Sequence, residues 1–347
     1  MRLILHIGTE KTGSTALQQH LAAHRDHLAG EGIVLADFLQ GENHRALASA
    51  FMNDDLDDDY LRARGIVPAG ARRKHREKLL RGLRDSLKRH RDVAHSYLVT
   101  SEHFHSRLLS DREVQRFTDS VAPLFDSVQV ICYLRRQDRM ALSFYTQKLR
   151  GGFIPPTILP VANTRRLHPQ LPPFFDFESL LERWAGALGA AAIEPAIYSR
   201  SELRDANVVG DFYQRIGCTY PGDAARSMAN TSLACSAQMA LLAFNRAHGG
   251  DLESRSRVRD RRESLNAFLQ RHASGPGILP SDAEAAEFLA AFEPSNRRVA
   301  QKWFGREQLF PADESEYPKR ESTPDWATAT ALLAEFMALP TGKGDGH

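Results

Sequence analysis

The stretch that most constrains the fold is LHIGTEKTGSTALQQHL, residues 5–21. A strand-like apolar run, LILHI (3–7), meets Gly8; a second glycine, Gly13, closes the turn, and helical spacing starts at Ser14. Glycines permit a tight turn and let the backbone approach a ligand closely. The first N–H groups of a helix have no partner within it, and the helix dipole adds partial positive charge there. A strand–glycine turn–helix of this kind therefore suits a phosphate or sulfate. Lys11, Thr12, Ser14 and Thr15 bring a cation and hydroxyl donors to the same small region, more than a turn shaped by glycine alone requires. Ser14 or Thr15 also suits the helix cap.

The rest of the chain repeats the alternation. IVLA (33–36), SYLVTS (96–101), VQVICYL (128–134) and AAIEPAIYS (191–199) read as strands. Segments 14–29, 72–90, 111–123, 138–150 and 177–189 have helical spacing. Several of the strands are apolar on both faces, the mark of a buried parallel sheet. The expectation is an α/β three-layer sandwich, a central parallel sheet with helices on both faces and right-handed crossovers. Residues 1–310 read as a single domain with inserts near 53–92 and 153–175, and 311–347 as a C-terminal helix (about 325–338) and a flexible tail.

The net charge of +2 argues against a nucleic-acid partner. No apolar run approaches the ~20 residues that span a bilayer, and MRLILHIG is too short an apolar run for a signal peptide. Cys132, Cys218 and Cys235 are sparse and odd in number, which fits a reducing cytoplasm and argues against a disulfide framework or a structural zinc. The first insert joins NDDLDDDY (53–60) to a basic stretch containing RRKHREKLLRGLRDSLKRH (72–90). It reads as a solvated loop and an exposed amphipathic helix, or else as an electrostatic rim over an anionic substrate. The aspartates lack the glycine and final glutamate of a calcium loop. The second, FIPPTILPVANTRRLHPQLPPFF (153–175), has the length and irregularity of a lid or binding loop.

The position of the lysine discriminates between ligands. Loops that bind nucleoside triphosphates place lysine directly after the second glycine and use a strand-end carboxylate for Mg²⁺. Here Lys11 precedes Gly13, and VQVICYL ends in Arg135–Arg136. Arg135 stands at the carboxyl end of a strand, where open α/β sheets bind ligands. Ser143 follows eight residues later on a helix. A guanidinium fork with a hydroxyl receives a phosphate monoester well, whereas a lone arginine would more simply pair with Asp138.

On these residues the sequence resembles the sulfotransferases that use 3′-phosphoadenosine 5′-phosphosulfate (PAPS), in their bacterial, carbohydrate-directed branch. SEHF (101–104), IYSRSEL (197–203), VVGDFYQRIG (208–217) and NTSL (230–233) extend the similarity, which covers roughly 1–310. The resemblance implies a P-loop-NTPase-like sulfotransferase fold. It implies that Lys11, Thr12, Gly13, Ser14 and Thr15 bind the 5′-phosphosulfate, and that Arg135 and Ser143 bind the 3′-phosphate. The donor is then PAPS, without a metal. The acceptor is a hydroxyl of a saccharide, glycolipid or related small molecule. Lys11 would serve the oxygen bridging phosphorus and sulfur, which gains charge as the S–O bond breaks.

Transfer to a hydroxyl needs a base. Glu102 and His103, ending SYLVTS, form one candidate pair; Glu42 and His44, in QGENHRAL, form the other. His105, Arg107 and Lys148 are secondary candidates. Two other readings stay open: a P-loop kinase or NTPase using ATP and Mg²⁺, and a non-catalytic anion-binding protein. The sequence does not give the oligomeric state.

Overall fold

The computed structural model describes residues 1–160, 171–222, 233–248, 255–311, 317–320 and 325–339. The centre of the 153–175 insert, most of NTSL and the C-terminal tail lie outside the described residues. The chain divides into two compact units. The first comprises Met1–Arg136, Thr164–Ser227 and Phe292–Ala312; the second comprises Gln137–Asn163, Met228–Ala291 and Asp313–His347.

The first unit is α/β. Its sheet has five strands: β1 (Arg2–His6), β2 (Ile33–Leu35), β3 (Ser96–Thr100), β4 (Ser127–Leu134) and β5 (Ile193–Ile197). Their order is β2-β3-β1-β4-β5, and every pairing is parallel. Each strand expected from sequence is present, with ends moved by a few residues. The β1→β2 connection runs in one direction across the sheet, and β2→β3, β3→β4 and β4→β5 run in the other. Right-handed crossovers in opposite directions lie on opposite faces, so helices flank the sheet on both sides.

The helices Ser14–Ala23, Arg25–Gly30 and Val208–Ile216 share one layer. Leu17, Leu21, Leu28, Phe212 and Ile216 pack there with Ile4, Leu98, Ile131 and Tyr133 of the strands. The expected helix 14–29 is interrupted at His24, whose φ of −113° and ψ of 32° leave the helical region. Phe51, Phe104, Phe117 and Trp184 form a chain of edge-on ring contacts among the helices Arg45–Ala50, His103–Arg107, Asp111–Val121 and Phe177–Leu188.

The acidic and basic parts of the first insert hold each other. Asp58 is buried, caps the helix Asp59–Ala63 by accepting from the Leu61 N–H at 3.0 Å, and pairs with Arg45 at 3.0 Å and Arg107 at 2.9 Å. From the basic helix Ala69–His90, buried Arg72 donates to the Asn53 and Leu56 carbonyls, and Arg76 pairs with Asp54 at 3.2 Å. The aspartate run is thus partly an ion-paired, capped structure. The outer face of Ala69–His90 is solvated, as its amphipathic spacing predicts.

Among the described residues, the second unit is helical: Gln137–Arg150, Cys235–His248, Arg255–His272, Asp282–Ala290 and Trp326–Ala338. Tyr145, Leu149, Leu241, Phe244, Leu265, Phe268, Leu269 and Phe336 form its core. Two buried amides stitch it. Gln238 donates to Thr146 at 2.8 Å and accepts from the Ile278 N–H at 2.7 Å; Asn245 donates to the Leu149 carbonyl at 2.8 Å. No helix among the described residues is long and apolar enough to cross a membrane.

Leu98 is fully buried on β3, between β1 and β2. Leu98→Ala is expected to destabilise the first unit by about 3 kcal/mol in denaturant unfolding, from lost burial and the cavity left behind. Val93→Ala, at a 71% exposed position, should change stability by less than about 0.5 kcal/mol.

Candidate functional site

The site grows from the end of β1, the central strand. Its ladder with β4 outlasts the strand: the Ile7 and Thr9 N–H groups donate to the Ile131 and Tyr133 carbonyls at 3.0 and 2.8 Å, and the Tyr133 N–H donates to the Gly8 carbonyl at 2.6 Å. On the other side the Ser101 N–H donates to the His6 carbonyl at 2.9 Å. The chain then turns through Gly8 (φ 96°), Lys11 (φ 67°) and Gly13 (φ 76°). A lysine in the left-handed region is strained, and such strain persists only where surroundings enforce it. Here the Arg135 guanidinium donates to the Lys11 carbonyl at 2.7 Å.

Gly13 is the N-cap of Ser14–Ala23 and gives the first-turn N–H groups no capping side chain. They begin a helix at the carboxyl edge of the sheet, between strand ends whose connections leave on opposite faces, the usual place for a ligand in such sheets. Both glycines are required by space as well as by φ. A Cβ on Gly8 would lie 3.0 Å from Glu102 Cα and Cβ, and one on Gly13 would lie 3.0 Å from Val208 Cγ1 and 3.4 Å from the Tyr198 hydroxyl.

The loop residues have distinct roles. Thr12 is buried and donates to the Thr9 carbonyl at 2.6 Å, so its hydroxyl braces the turn. Thr9 Oγ1 in turn donates to the Tyr133 carbonyl at 3.0 Å. Lys11 is half-buried, Ser14 buried and Thr15 exposed. Arg135 is half-buried, with its guanidinium 5.5 Å from the centre of the Tyr198 ring. Ser143 lies half-buried on Gln137–Arg150 in the second unit, as does Lys148, whose ammonium lies 4.9 Å from the Phe144 ring centre and 4.6 Å from that of Phe153.

The four base candidates occupy four different environments. Glu102 packs against Gly8. Its carboxylate accepts from Gln18 Nε2 at 2.7 Å and from Asn43 Nδ2 at 3.0 and 2.9 Å. Asn43 is itself oriented by the Ser101 hydroxyl, which donates to its Oδ1 at 2.6 Å. His103, the next residue, turns away toward the Arg45–Asp58–Arg107 cluster; burial, then the Arg45 and Arg107 charges, push it down to about 3. His44 is fully buried, its Nδ1 accepts from the Thr100 N–H at 3.0 Å, and burial lowers it to about 4. Glu42 is exposed.

Of the secondary candidates, Arg107 is paired with Asp58. His105 is buried between the Glu10 N–H (3.4 Å) and the Phe174 carbonyl (2.9 Å), and burial lowers it to about 4. Gln18, Asn43 and Tyr198 escaped the sequence reading. Gln18 stands four residues after Ser14 on the loop helix, and Asn43 between the two residues singled out in GENH; one helical turn of periodicity marks the first, and nothing local marks the second.

No family model matches the chain. An uncharacterized protein of Archaeoglobus fulgidus is 27% identical over 218 residues, 61% of this chain and 56% of that protein. The chain therefore matches little more than half the length of this relative. Among solved structures, a sulfotransferase from Alicyclobacillus acidocaldarius is similar at a TM-score of 0.40 and 14% identity, over 70% of this chain and 92% of that one. The sulfotransferase domain from the curacin biosynthetic pathway is similar at 0.33 and 12%, over 97% of both chains. At these scores the likeness assigns no activity.

Four buried histidine rings and the half-buried His103 give the fold a pH limit. Burial lowers His6 and His103 to about 3, and His20, His44 and His105 to about 4. As pH falls below about 6.5 the unfolded chain takes up these protons and the folded chain does not, so unfolding free energy falls with pH through that window. The urea midpoint should therefore drop steadily from about pH 7 to about pH 5. A midpoint that stays constant over this range would mean that the rings are protonated in the folded protein.

Proposed function

We propose that the protein is a sulfotransferase that moves the sulfuryl group of PAPS to a hydroxyl of a saccharide, glycolipid or related small acceptor. The observation that carries this reading is the loop itself. A lysine is fixed inside a glycine turn at the head of an uncapped helix, with an arginine bonded to the lysine's carbonyl and an amide-held carboxylate at its edge. This arrangement offers cations and N–H donors to an anion.

The N–H groups of the first helical turn and the Ser14 and Thr15 hydroxyls receive the 5′-phosphosulfate. Thr12 and Gly13 keep the turn in shape. Lys11 serves the bridging oxygen, and Arg135 the 3′-phosphate; the part of Ser143 rests on the resemblance alone. Glu102 acts as the base. A carboxylate has about four lone-pair sites, and three amide hydrogen bonds leave room for an acceptor hydroxyl. Glu102 takes the hydroxyl proton, the acceptor oxygen forms the new S–O bond, and the bridging S–O bond breaks with its electron pair going to the departing nucleotide. His44 is closed off by burial and by its bond to Thr100, and His103 faces guanidinium groups that disfavour its protonation. A cytoplasmic setting belongs to this reading, on the sparse and odd set of three cysteines in the sequence.

The deciding experiment is thermal stability with the nucleotide product 3′,5′-diphosphoadenosine, beside ATP with Mg²⁺. A ligand that binds only the folded state raises the melting temperature, by about 2.7 kcal/mol of stability at a hundred times its Kd. A shift with the diphosphoadenosine alone is expected; a shift only with ATP and Mg²⁺ would replace this reading by a kinase. Binding without turnover of PAPS would leave an anion-binding protein.

Lys11→Ala and Glu102→Gln should each lower turnover by roughly a hundredfold or more while nucleotide affinity changes far less, because both act on groups whose charge develops in the transition state. An equal loss in both quantities would assign Lys11 to ground-state binding.

A further inference from the structure

A second cluster lies away from the loop, where the chain leaving Val208–Ile216 passes the end of Arg25–Gly30. We propose that His27, Glu31 and Cys218 form a site for a divalent cation of the zinc class, with the Thr219 carbonyl as fourth donor.

The ligand atoms of His27, Glu31 and Cys218 all lie within 4.8 Å of one another. His27 Nε2 is 3.9 Å from Glu31 Oε1. A tetrahedral zinc, with bonds of about 2.0–2.3 Å, sets ligand-to-ligand separations of roughly 3.3–3.8 Å, so these side chains need only small adjustments. The carboxylate is already oriented: the Thr219 N–H donates to Glu31 Oε2 at 3.2 Å. The Thr219 carbonyl lies 2.7 Å from His27 Nε2 and 3.7 Å from Cys218 Sγ. Imidazole, carboxylate and thiolate are the donor types that zinc takes, and the Thr219 carbonyl or a water completes a four-coordinate set.

Charge and burial agree with this assignment. A thiolate beside a carboxylate repels it; a divalent cation between them balances both charges. On binding, the Cys218 thiol proton leaves to solvent and the sulfur lone pair forms the metal bond. The His27 ring moves its proton to Nδ1 and releases the Thr219 carbonyl. Cys218 is 6% exposed, while the His27 and Glu31 side chains are about one-third exposed, which gives the ion a path inward.

The bound ion would tie the helical stretch that begins at the phosphate loop to a segment distant in sequence, closing a long loop of chain. None of these residues belongs to the proposed donor or base set, so the inference stands apart from the sulfotransferase reading.

The test is titration of the full-length protein with Zn²⁺ against a chromophoric chelator, and with Co²⁺ followed by its thiolate charge-transfer band. One tight ion per chain and a cobalt–thiolate band are expected. Cys218→Ser and His27→Ala should each weaken zinc binding by roughly tenfold or more, with loss of the band in Cys218→Ser. Cys235→Ser should behave as wild type, as a control for adventitious thiol binding. His27→Ala changes a partly exposed side chain and keeps the test usable if the buried Cys218→Ser variant folds poorly. The proposal is overturned if the wild-type protein gives no thiolate band, if Cys235→Ser removes it, or if His27→Ala binds zinc as tightly as wild type.

Discussion

The structure depends on the hydrogen bonding of β1, the one strand whose two neighbours carry the rest of the site. Its ladder with β4 runs beyond the strand to Thr9, and β3 holds His6 from the other side. A parallel ladder fixes each residue it includes to a register, and this one includes the first residues of the glycine loop. The loop therefore starts from a rigid edge, and the remaining freedom is removed by side chains. Thr9 and Thr12 brace the turn from within, and Arg135 holds the Lys11 carbonyl from the end of the adjacent strand. Glu102 and Arg135 reach the loop because β3 and β4 flank β1.

Electrostatics then separates neighbours in sequence. Glu102 and His103 are consecutive at the end of β3, yet the first lies among neutral amides beside the loop and the second beside two guanidinium groups. Arg45 and Arg107 are committed to Asp58, a buried carboxylate that would be costly without them. The first insert is thus not simply a solvated loop: the residues nearest the first unit's core neutralise one another, and those on the outer face of Ala69–His90 remain in water.

Much of the fold was legible because its signals are local. Buried parallel strands are short apolar runs, the helices between them have a 3.6-residue period, and the glycine turn after β1 has a backbone requirement that few other residues meet. Strand and helix types followed from these patterns where they were read, with differences at the ends and at the break at His24, while the helices Val208–Ile216, Cys235–His248, Arg255–His272 and Asp282–Ala290 were not read from the sequence. The shape of the loop was legible for the same reason, since Lys11 to Thr15 are contiguous. The carboxylate side was only half legible. Glu102 was one of two candidate pairs, and Gln18 and Asn43, which hold it, come from separate segments. In the same way, no spacing in the sequence marks the approach of His27, Glu31 and Cys218.

By itself, then, the sequence determined the parallel α/β sheet and the glycine turn that opens the first helix, because both arise from interactions between residues close along the chain. The tertiary structure decided which strand is central, which candidate carboxylate meets the loop, which histidines are closed off by burial, and which distant side chains converge around Cys218. Each of these depends on strand order and on long-range packing, where the energy lies between segments that the sequence alone does not bring together.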